Sequence, residues 1–249
     1  MVMNIYSHIS DAVLEGKKLF AVLVDPDKPS DSRIKQIAQT SSDAAVDFIF
    51  VGGSLLTNDR LDNCIRIINQ NCQVPVVLFP GNTMQINARA QAILLLSLIS
   101  GRNAEMLIGK HVIAAPYLKS SNLEVIPTGY LLIESGKPTA ALYMSNSLPI
   151  PHDKDDIAVC TALAGEMLGL KLIYMDAGSG ASYAVSTSMI RQVKNNITVP
   201  LIIGGGIKSP EDALAACNAG ADIIVVGNAI EKNDSIIPSL AKAVHSIIP

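Results

Sequence analysis

Tryptophan is absent from this 249-residue chain, and only 4 phenylalanines and 6 tyrosines represent the other aromatics. That leaves no aromatic platform on which nucleic-acid bases would stack. Charge is scarce as well, at 16% of residues with a formal net charge of -3, so no basic stripe exists to follow a phosphate backbone. Nucleic acid is therefore not an expected partner. The four cysteines, Cys64, Cys72, Cys160 and Cys217, form no C-x-x-C pair, and Cys64 and Cys72 are spaced too widely for common zinc motifs. Their apolar surroundings predict buried, reduced thiols in a cytoplasmic protein. No basic segment followed by an apolar one opens the chain, so a signal peptide is not expected. The longest apolar run, Ala92 to Leu96 with Leu98 and Ile99 close behind, falls well short of the roughly 20 residues that span a bilayer.

What the chain does have is hydrophobic residue in quantity, 49%, arranged in short blocks. Apolar, β-branched runs recur about every 25 residues, the pattern of alternating strands and helices. They fall at Leu19–Val24, Asp47–Val51, Pro75–Phe79, Ala92–Ile99, Val125–Ile133, Lys171–Met175, Pro200–Ile203 and Asp222–Val226. Continuous rather than alternating hydrophobicity predicts parallel strands buried on both faces. Between them, Ser30 and Asp31 mark a helix running to Thr40, and Asn58 and Asp59 open another to about Asn69. Asp153 to Leu168 reads as a helix with a small-residue face. Ser209-Pro210-Glu211 combines an N-cap serine, a proline at the first helical position and an acid in the first turn, and Gly220 closes that helix. Eight such units without a break in composition predict one α/β domain over residues 1–249, a (β/α)₈ TIM barrel. Glu134–Pro151 is too long for an ordinary connection and reads as an insertion after the fifth strand, on the active-site end; its Thr139–Tyr143 piece suggests an extra strand.

Chemistry concentrates at the strand ends. The sixth strand ends Tyr174-Met175-Asp176-Ala177-Gly178-Ser179-Gly180, the seventh Gly204-Gly205-Gly206, and the eighth Gly227-Asn228. Glycines let successive backbone N–H groups approach one anion, and helix N-termini behind such loops favour it further. Three glycine-bearing ends in a row point to a phosphate site, where a single one would be only a tight turn. Tyr174 and Asp176 share a face by alternation and suit binding of hydroxyls, with Asp176 as a general base or else part of a buried polar pair. At the first strand end, Asp25 followed by Pro26 projects a carboxylate suited to Mg²⁺ held jointly with substrate phosphate, or to a loop cap. Asp27 and Lys28 fit a solvated loop. Ser54, after Val51-Gly52-Gly53, is either a second metal oxygen or the cap of the next helix. His8, His111, His152 and His245 form no triad or metal spacing and read as structural or exposed.

Taken together, Leu23-Val24-Asp25-Pro26-Asp27-Lys28, Val51-Gly52-Gly53-Ser54, Pro127-Thr128-Gly129-Tyr130, the block from Leu168 through Gly180, Gly204-Gly205-Gly206-Ile207 and Val226-Gly227-Asn228-Ala229 resemble the geranylgeranylglyceryl phosphate synthase family, which includes heptaprenylglyceryl phosphate synthases. The insertion and Ser100-Gly101-Arg102-Asn103 look like its longer subgroup, of archaea and Bacteroidetes-type bacteria. The resemblance implies an Mg²⁺-dependent prenyltransferase joining sn-glycerol 1-phosphate to geranylgeranyl or another long polyprenyl diphosphate, at the first step of ether phospholipid synthesis. It implies a metal site at Asp25 and Ser54, and a glycerol-phosphate site at Tyr174, Met175, Asp176, Ala177, Gly178, Ser179, Gly180, Gly205, Gly206, Gly227 and Asn228. Catalysis would fall to Asp176 and Tyr174. A homo-oligomer and transient membrane contact during product release are further implications. Glutamate is usual in the family where this chain has Asp176, which retracts the carboxylate by one methylene and puts the base role in question. The aliphatic strand Ile93–Leu98 and its neighbouring helices offer either a groove for the prenyl tail or ordinary core. Two other readings are an isomerase or epimerase acting on a phosphorylated sugar or indole precursor, and a phosphoglycerolipid binder without turnover.

Overall fold

The structure, a computed structural model, describes residues 4–247. Eight strands, β1 (Leu19–Val24), β2 (Phe48–Val51), β3 (Val76–Leu78), β4 (Ala92–Leu98), β5 (Glu124–Leu132), β6 (Leu172–Asp176), β7 (Leu201–Gly204) and β8 (Ile223–Val226), pair in parallel in chain order. β8 pairs back onto β1, with Leu19 opposite Ile223, and closes the barrel. The continuous apolar runs are explained by the two cores. In β1, Phe20, Val22 and Val24 pack outward under the helices, while Leu19 and Ala21 face the barrel interior. In β2, Ile49 and Val51 point outward and Phe48 and Phe50 inward. A strand buried on both faces tolerates no polar alternation.

The outer ring consists of α2 (Asp31–Asp43), α3 (Leu61–Asn71), α4 (Lys110–Ser121), α6 (Asp155–Met167), α7 (Thr187–Lys194), α8 (Pro210–Ala219) and α10 (Ile237–His245), with short α5 (Ala140–Ser145) and α9 (Asn228–Lys232) at the mouth. As expected, Ser30 caps α2 and Ser209 caps α8, the latter in a reciprocal box with Asp212. Gly220 ends α8 at φ 119, where a side chain would be strained. None of the helices among the described residues is long and apolar enough to cross a membrane.

One element was not expected and three expectations are corrected. First, α1 (Ile5–Leu14) precedes the barrel and stoppers its lower end: Ile5, Ile9 and Ala12 join the interior core. The Glu124 carboxylate at the start of β5 accepts the backbone N–H groups of Ile5 and Tyr6, satisfying donors at the positive end of the helix. Second, Thr139–Tyr143 forms no strand. Thr139 caps α5 by accepting the Leu142 N–H, and the Ala-Ala-Leu run that follows favours helix, while a closed barrel leaves no edge for another strand. Third, α3 begins at Leu61, two residues after Asp59, because Asp27 takes the N–H groups of Thr57 and Asn58 and holds them in the loop. Fourth, Cys160 is exposed, although Cys64, Cys72 and Cys217 are buried; burial pushes the Cys64 and Cys217 thiols up to about 12.

Candidate active site

All eight strands deliver their C-terminal ends to one mouth, where a cavity of about 960 Å³ opens. Its far wall is the glycine-rich half foreseen from the sequence. Gly205 sits at φ +76, and a Cβ there would lie 2.5 Å from the Gly178 nitrogen and 2.6 Å from Asp176 Oδ1. Only glycine lets the β7 loop pass this close beneath the β6 loop. Ser179 Oγ donates to Asn228 Oδ1 at 2.7 Å, which ties the β6 and β8 loops together and turns the Asn228 amide nitrogen toward Gly180. Gly178, Ser179, Gly180, Gly205, Gly206, Gly227 and Asn228 all line the cavity, as do Tyr174 and Asp176.

Met175 and Ala177 do not join them. Their side chains are buried in the outer core between sheet and helices, and the Ala177 N–H donates to the Gly204 carbonyl. Strand alternation sends them away from the mouth that Tyr174 and Asp176 face. The helix ends also differ from expectation. The Lys208 and Ser209 N–H groups before α8 donate to Asp212, so that helix start is already occupied by a carboxylate. Five-residue α9, in contrast, begins at Asn228 with no side chain capping it.

Asp176 is buried at the end of β6, and both its oxygens are engaged. Tyr130 donates its phenol O–H to Oδ2 at 2.6 Å, and the Gly178 N–H donates to Oδ1 at 2.7 Å. Burial raises the carboxyl above its ordinary value, and these two hydrogen bonds oppose that rise. For Tyr130 and Tyr174, burial first and the neighbouring Asp176 charge second push the phenols well above their usual range, so both stay protonated donors. Tyr174 stacks on Phe79 with centroids 5.0 Å apart at 16°, and its hydroxyl nests on Gly204. Tyr130, not Tyr174, is thus the phenol that grips Asp176. It was recognised in the sequence only as part of a motif; a tyrosine opposite Tyr174 in the paired strand was the signal that would have placed it.

Across the mouth, Asp25 ends β1. A Cβ on Gly53 would lie 3.3 Å from the Asp25 carboxylate, so glycine keeps a cradle open between the carboxylate and the β2 loop that carries Ser54. Ser54 does not cap α3 and instead lines the mouth. Gln85, buried, fixes this loop: its side-chain oxygen accepts the Gly53 and Gly81 N–H groups and its amide donates to the Gly53 carbonyl. No sequence signal marked Gln85. Asp27 and Lys28 lie on a partly exposed loop as expected, but both side chains are engaged, Asp27 with Thr57 and Asn58. Lys28 reaches Glu231 at 3.1 Å and Asp25 at 3.3 Å and lines the cavity. Burial disfavours its charge, but Glu231 and then Asp25 outweigh that, and the ammonium is held above its ordinary value.

A second, apolar cavity of about 140 Å³ adjoins the first between β4 and α4, lined by Ile93, Leu95, Leu96, Ala114 and Leu118 among others. Both cavities share Gly53, Ser54, Phe79, Tyr130 and Ala141. His111 projects into it, its imidazole held below its ordinary value by burial. Of the other histidines, His245 bonds Asp47 at 2.8 Å, His152 packs edge-on against Tyr183, and His8 packs edge-on against Phe48.

A sequence model of the PcrB family matches residues 12–245. Geranylgeranylglyceryl phosphate synthase of Chitinophaga pinensis is 54% identical over 246 residues, covering 99% of this chain and 98% of its own. The protein of the same name from Spirosoma linguale is 53% identical over 237 residues, covering 95% of each chain. Among solved structures, (S)-3-O-geranylgeranylglyceryl phosphate synthase from Thermoplasma acidophilum, crystallised with its substrate sn-glycerol-1-phosphate, superposes with a TM-score of 0.93 at 31% identity, covering 98% of this chain and 100% of that one. With the family match running from the stoppering helix to the last one, the chain belongs to the PcrB family, the family of the geranylgeranylglyceryl phosphate synthases.

Proposed function

We propose that this protein transfers a geranylgeranyl or other long polyprenyl group from its diphosphate to sn-glycerol 1-phosphate, forming an ether bond and releasing diphosphate. The observation that carries this reading is the meeting of a polar, glycine-walled cavity and an apolar one at Gly53, Ser54, Phe79, Tyr130 and Ala141. An isomerase acting on one small phosphorylated molecule has no use for the apolar chamber. A carboxylate so placed that burial increases its proton affinity favours turnover over simple lipid binding.

On this reading the Gly178–Gly180, Gly205–Gly206 and Gly227–Asn228 loops hold the acceptor phosphate with backbone N–H groups. Tyr174 supplies a protonated phenol to the glycerol hydroxyls. The terminal hydroxyl oxygen attacks the allylic carbon, the bond from that carbon to the diphosphate oxygen breaks, and the hydroxyl proton passes to Asp176. Tyr130 and the Gly178 N–H hold the Asp176 carboxylate in place while it accepts that proton. Much of the rate comes from fixing acceptor and donor at the seam between the cavities. The donor tail lies along Ile93, Leu95, Ala114 and Leu118.

Asp25 and Ser54 fit a metal held jointly with substrate, since Mg²⁺ is commonly bound by one or two carboxylates plus phosphate oxygens and Gly53 keeps the β2 loop from crowding the Asp25 carboxylate. Bound there, Mg²⁺ would neutralise charge on the departing diphosphate. Lys28, paired with Asp25, balances the carboxylate and provides a second cation on the same wall. A homo-oligomer and transient membrane contact would both draw on apolar surface. Val112, Ile113 and Tyr117 of α4, with Tyr143 and Leu148 of the insertion, supply it. Light scattering and vesicle flotation separate the two.

The test is incubation with glycerol 1-phosphate, Mg²⁺ and polyprenyl diphosphates of graded length, with the ether product read by mass spectrometry. Absence of product with every donor, from folded protein, defeats the proposal.

A further inference from the structure

Beyond the backbone cradle, the geometry points to Lys137 as a specificity-determining residue that closes over the acceptor phosphate from the insertion after β5; this rests on the prenyltransferase reading. The Lys137 ammonium lies 3.8 Å from the position a Cβ on Gly180 would take, and the Asn228 amide nitrogen lies 3.7 Å from the same point. Two side-chain nitrogens therefore converge above the glycine that ends the β6 loop. Among the described residues, Lys137 has no ion pair and donates no hydrogen bond within the protein, and the same holds for Lys232 on the cavity wall, whereas two other nearby cations are committed. Lys28 is held by Asp25 and Glu231, and Lys208 donates to the Ser182 carbonyl at 2.8 Å.

The segment carrying Lys137 is firmly placed. Ile133 and Ile150 pair and close the base of the insertion, with the Glu134 N–H donating to the Ile150 carbonyl and the Ile150 N–H to that of Leu132. The Ser182 N–H donates to the Ser135 carbonyl at 3.0 Å, joining the insertion to the β6 loop. Thr139 Oγ1 packs 2.8 Å from the Cβ position of Gly178. A lysine on such a base needs little ordering to meet a ligand. Backbone N–H groups alone carry partial charge, and the buried Asp176 carboxylate disfavours a phosphate dianion nearby. A full positive charge on the phosphate side offsets that repulsion and separates a phosphorylated acceptor from free glycerol. Asp25 and Ser54 lie in the loops after β1 and β2, across the barrel from β6, so Lys137 is assigned to the acceptor and not to the donor diphosphate.

The experiment compares the full-length protein with Lys137→Met and Lys137→Arg. Titration calorimetry with glycerol 1-phosphate alone, without donor, should show affinity weakened about tenfold or more in Lys137→Met and largely restored in Lys137→Arg, the scale of a lost charge-assisted contact. In turnover, the KM for glycerol 1-phosphate should rise by the same factor while kcat and the KM for polyprenyl diphosphate stay within about twofold. Unchanged acceptor affinity in Lys137→Met overturns the assignment, and so does a rise confined to the donor KM. If wild-type protein binds glycerol 1-phosphate but makes no ether, the transferase reading fails while the calorimetry still judges Lys137.

Discussion

At the ends of β6, β7 and β8 the mouth is made of backbone: glycine loops, two amide-tied turns and one buried carboxylate. At the ends of β3, β4 and β5 it is made of aliphatic side chains and helix α4, with a π-helical turn over Glu105–Gly109 leading into it. On the proposed function the first half would recognise by direction, with N–H groups and a carboxylate fixing where a phosphate and a hydroxyl lie. The second would recognise by volume and the exclusion of water, which a flexible isoprenoid chain satisfies in many conformations. A change in the first half should therefore cost chemistry, and a change in the second should cost selectivity.

Four substitutions press on that division, in falling order of effect. Asp25→Ala should reduce Mg²⁺-dependent turnover by about a thousandfold, since stabilising a diphosphate leaving group is worth several kcal/mol. Glycerol 1-phosphate affinity measured without donor should change far less; an equal fall in both would erase the boundary between metal wall and acceptor wall.

Asp176→Asn should lower kcat by about a hundredfold and also weaken acceptor binding. Its effect on stability runs the other way. Burial raises the Asp176 carboxyl, and a carboxyl raised by folding contributes stability below its unfolded value and loses it as pH climbs through the folded one. At neutral pH the ionised group burdens the fold, so the melting temperature of Asp176→Asn relative to wild type should rise as pH climbs from about 4 to about 7.5. A relative melting temperature that falls over that range would mean that the carboxylate is a structural anchor.

Removing one hydroxyl, Tyr130→Phe should cut kcat about tenfold. The phenol holds the Asp176 carboxyl down against burial, so its loss should move the acid limb of the kcat/KM profile to higher pH. An unmoved limb would detach Tyr130 from the proton transfer. Ala114→Phe, on the groove side, should raise the KM of the longest donors about three- to tenfold and leave the shortest donor and the acceptor unaffected. Uniform loss across donors would show that the groove is not read by length.

The barrel and the glycine-rich wall of its mouth were legible because each follows from a local rule. Unbroken apolar runs mean strands buried twice, Ser209-Pro210-Glu211 opens a helix, and Gly205 must be glycine where two loops cross. Alternation correctly put Tyr174 and Asp176 on the mouth side, and the same rule turns Met175 and Ala177 away. What stayed hidden depended on partners distant in sequence. Tyr130 meets Asp176 across 46 positions, Gln85 braces Gly53 across 32, and Lys28 finds Glu231 across 203. The groove was ambiguous for another reason: Ile93 and Leu95 are the same residue types whether they face a ligand or a helix, and only the placement of α4 decides.

The helix packed into the bottom of the barrel, with Glu124 drawn across its start, makes the interior a cul-de-sac. Among the described residues the barrel axis is closed at that end, so whatever enters the interior from the mouth leaves by the mouth. On the proposed reaction, an incoming acceptor and the outgoing diphosphate would pass the same threshold in opposite directions.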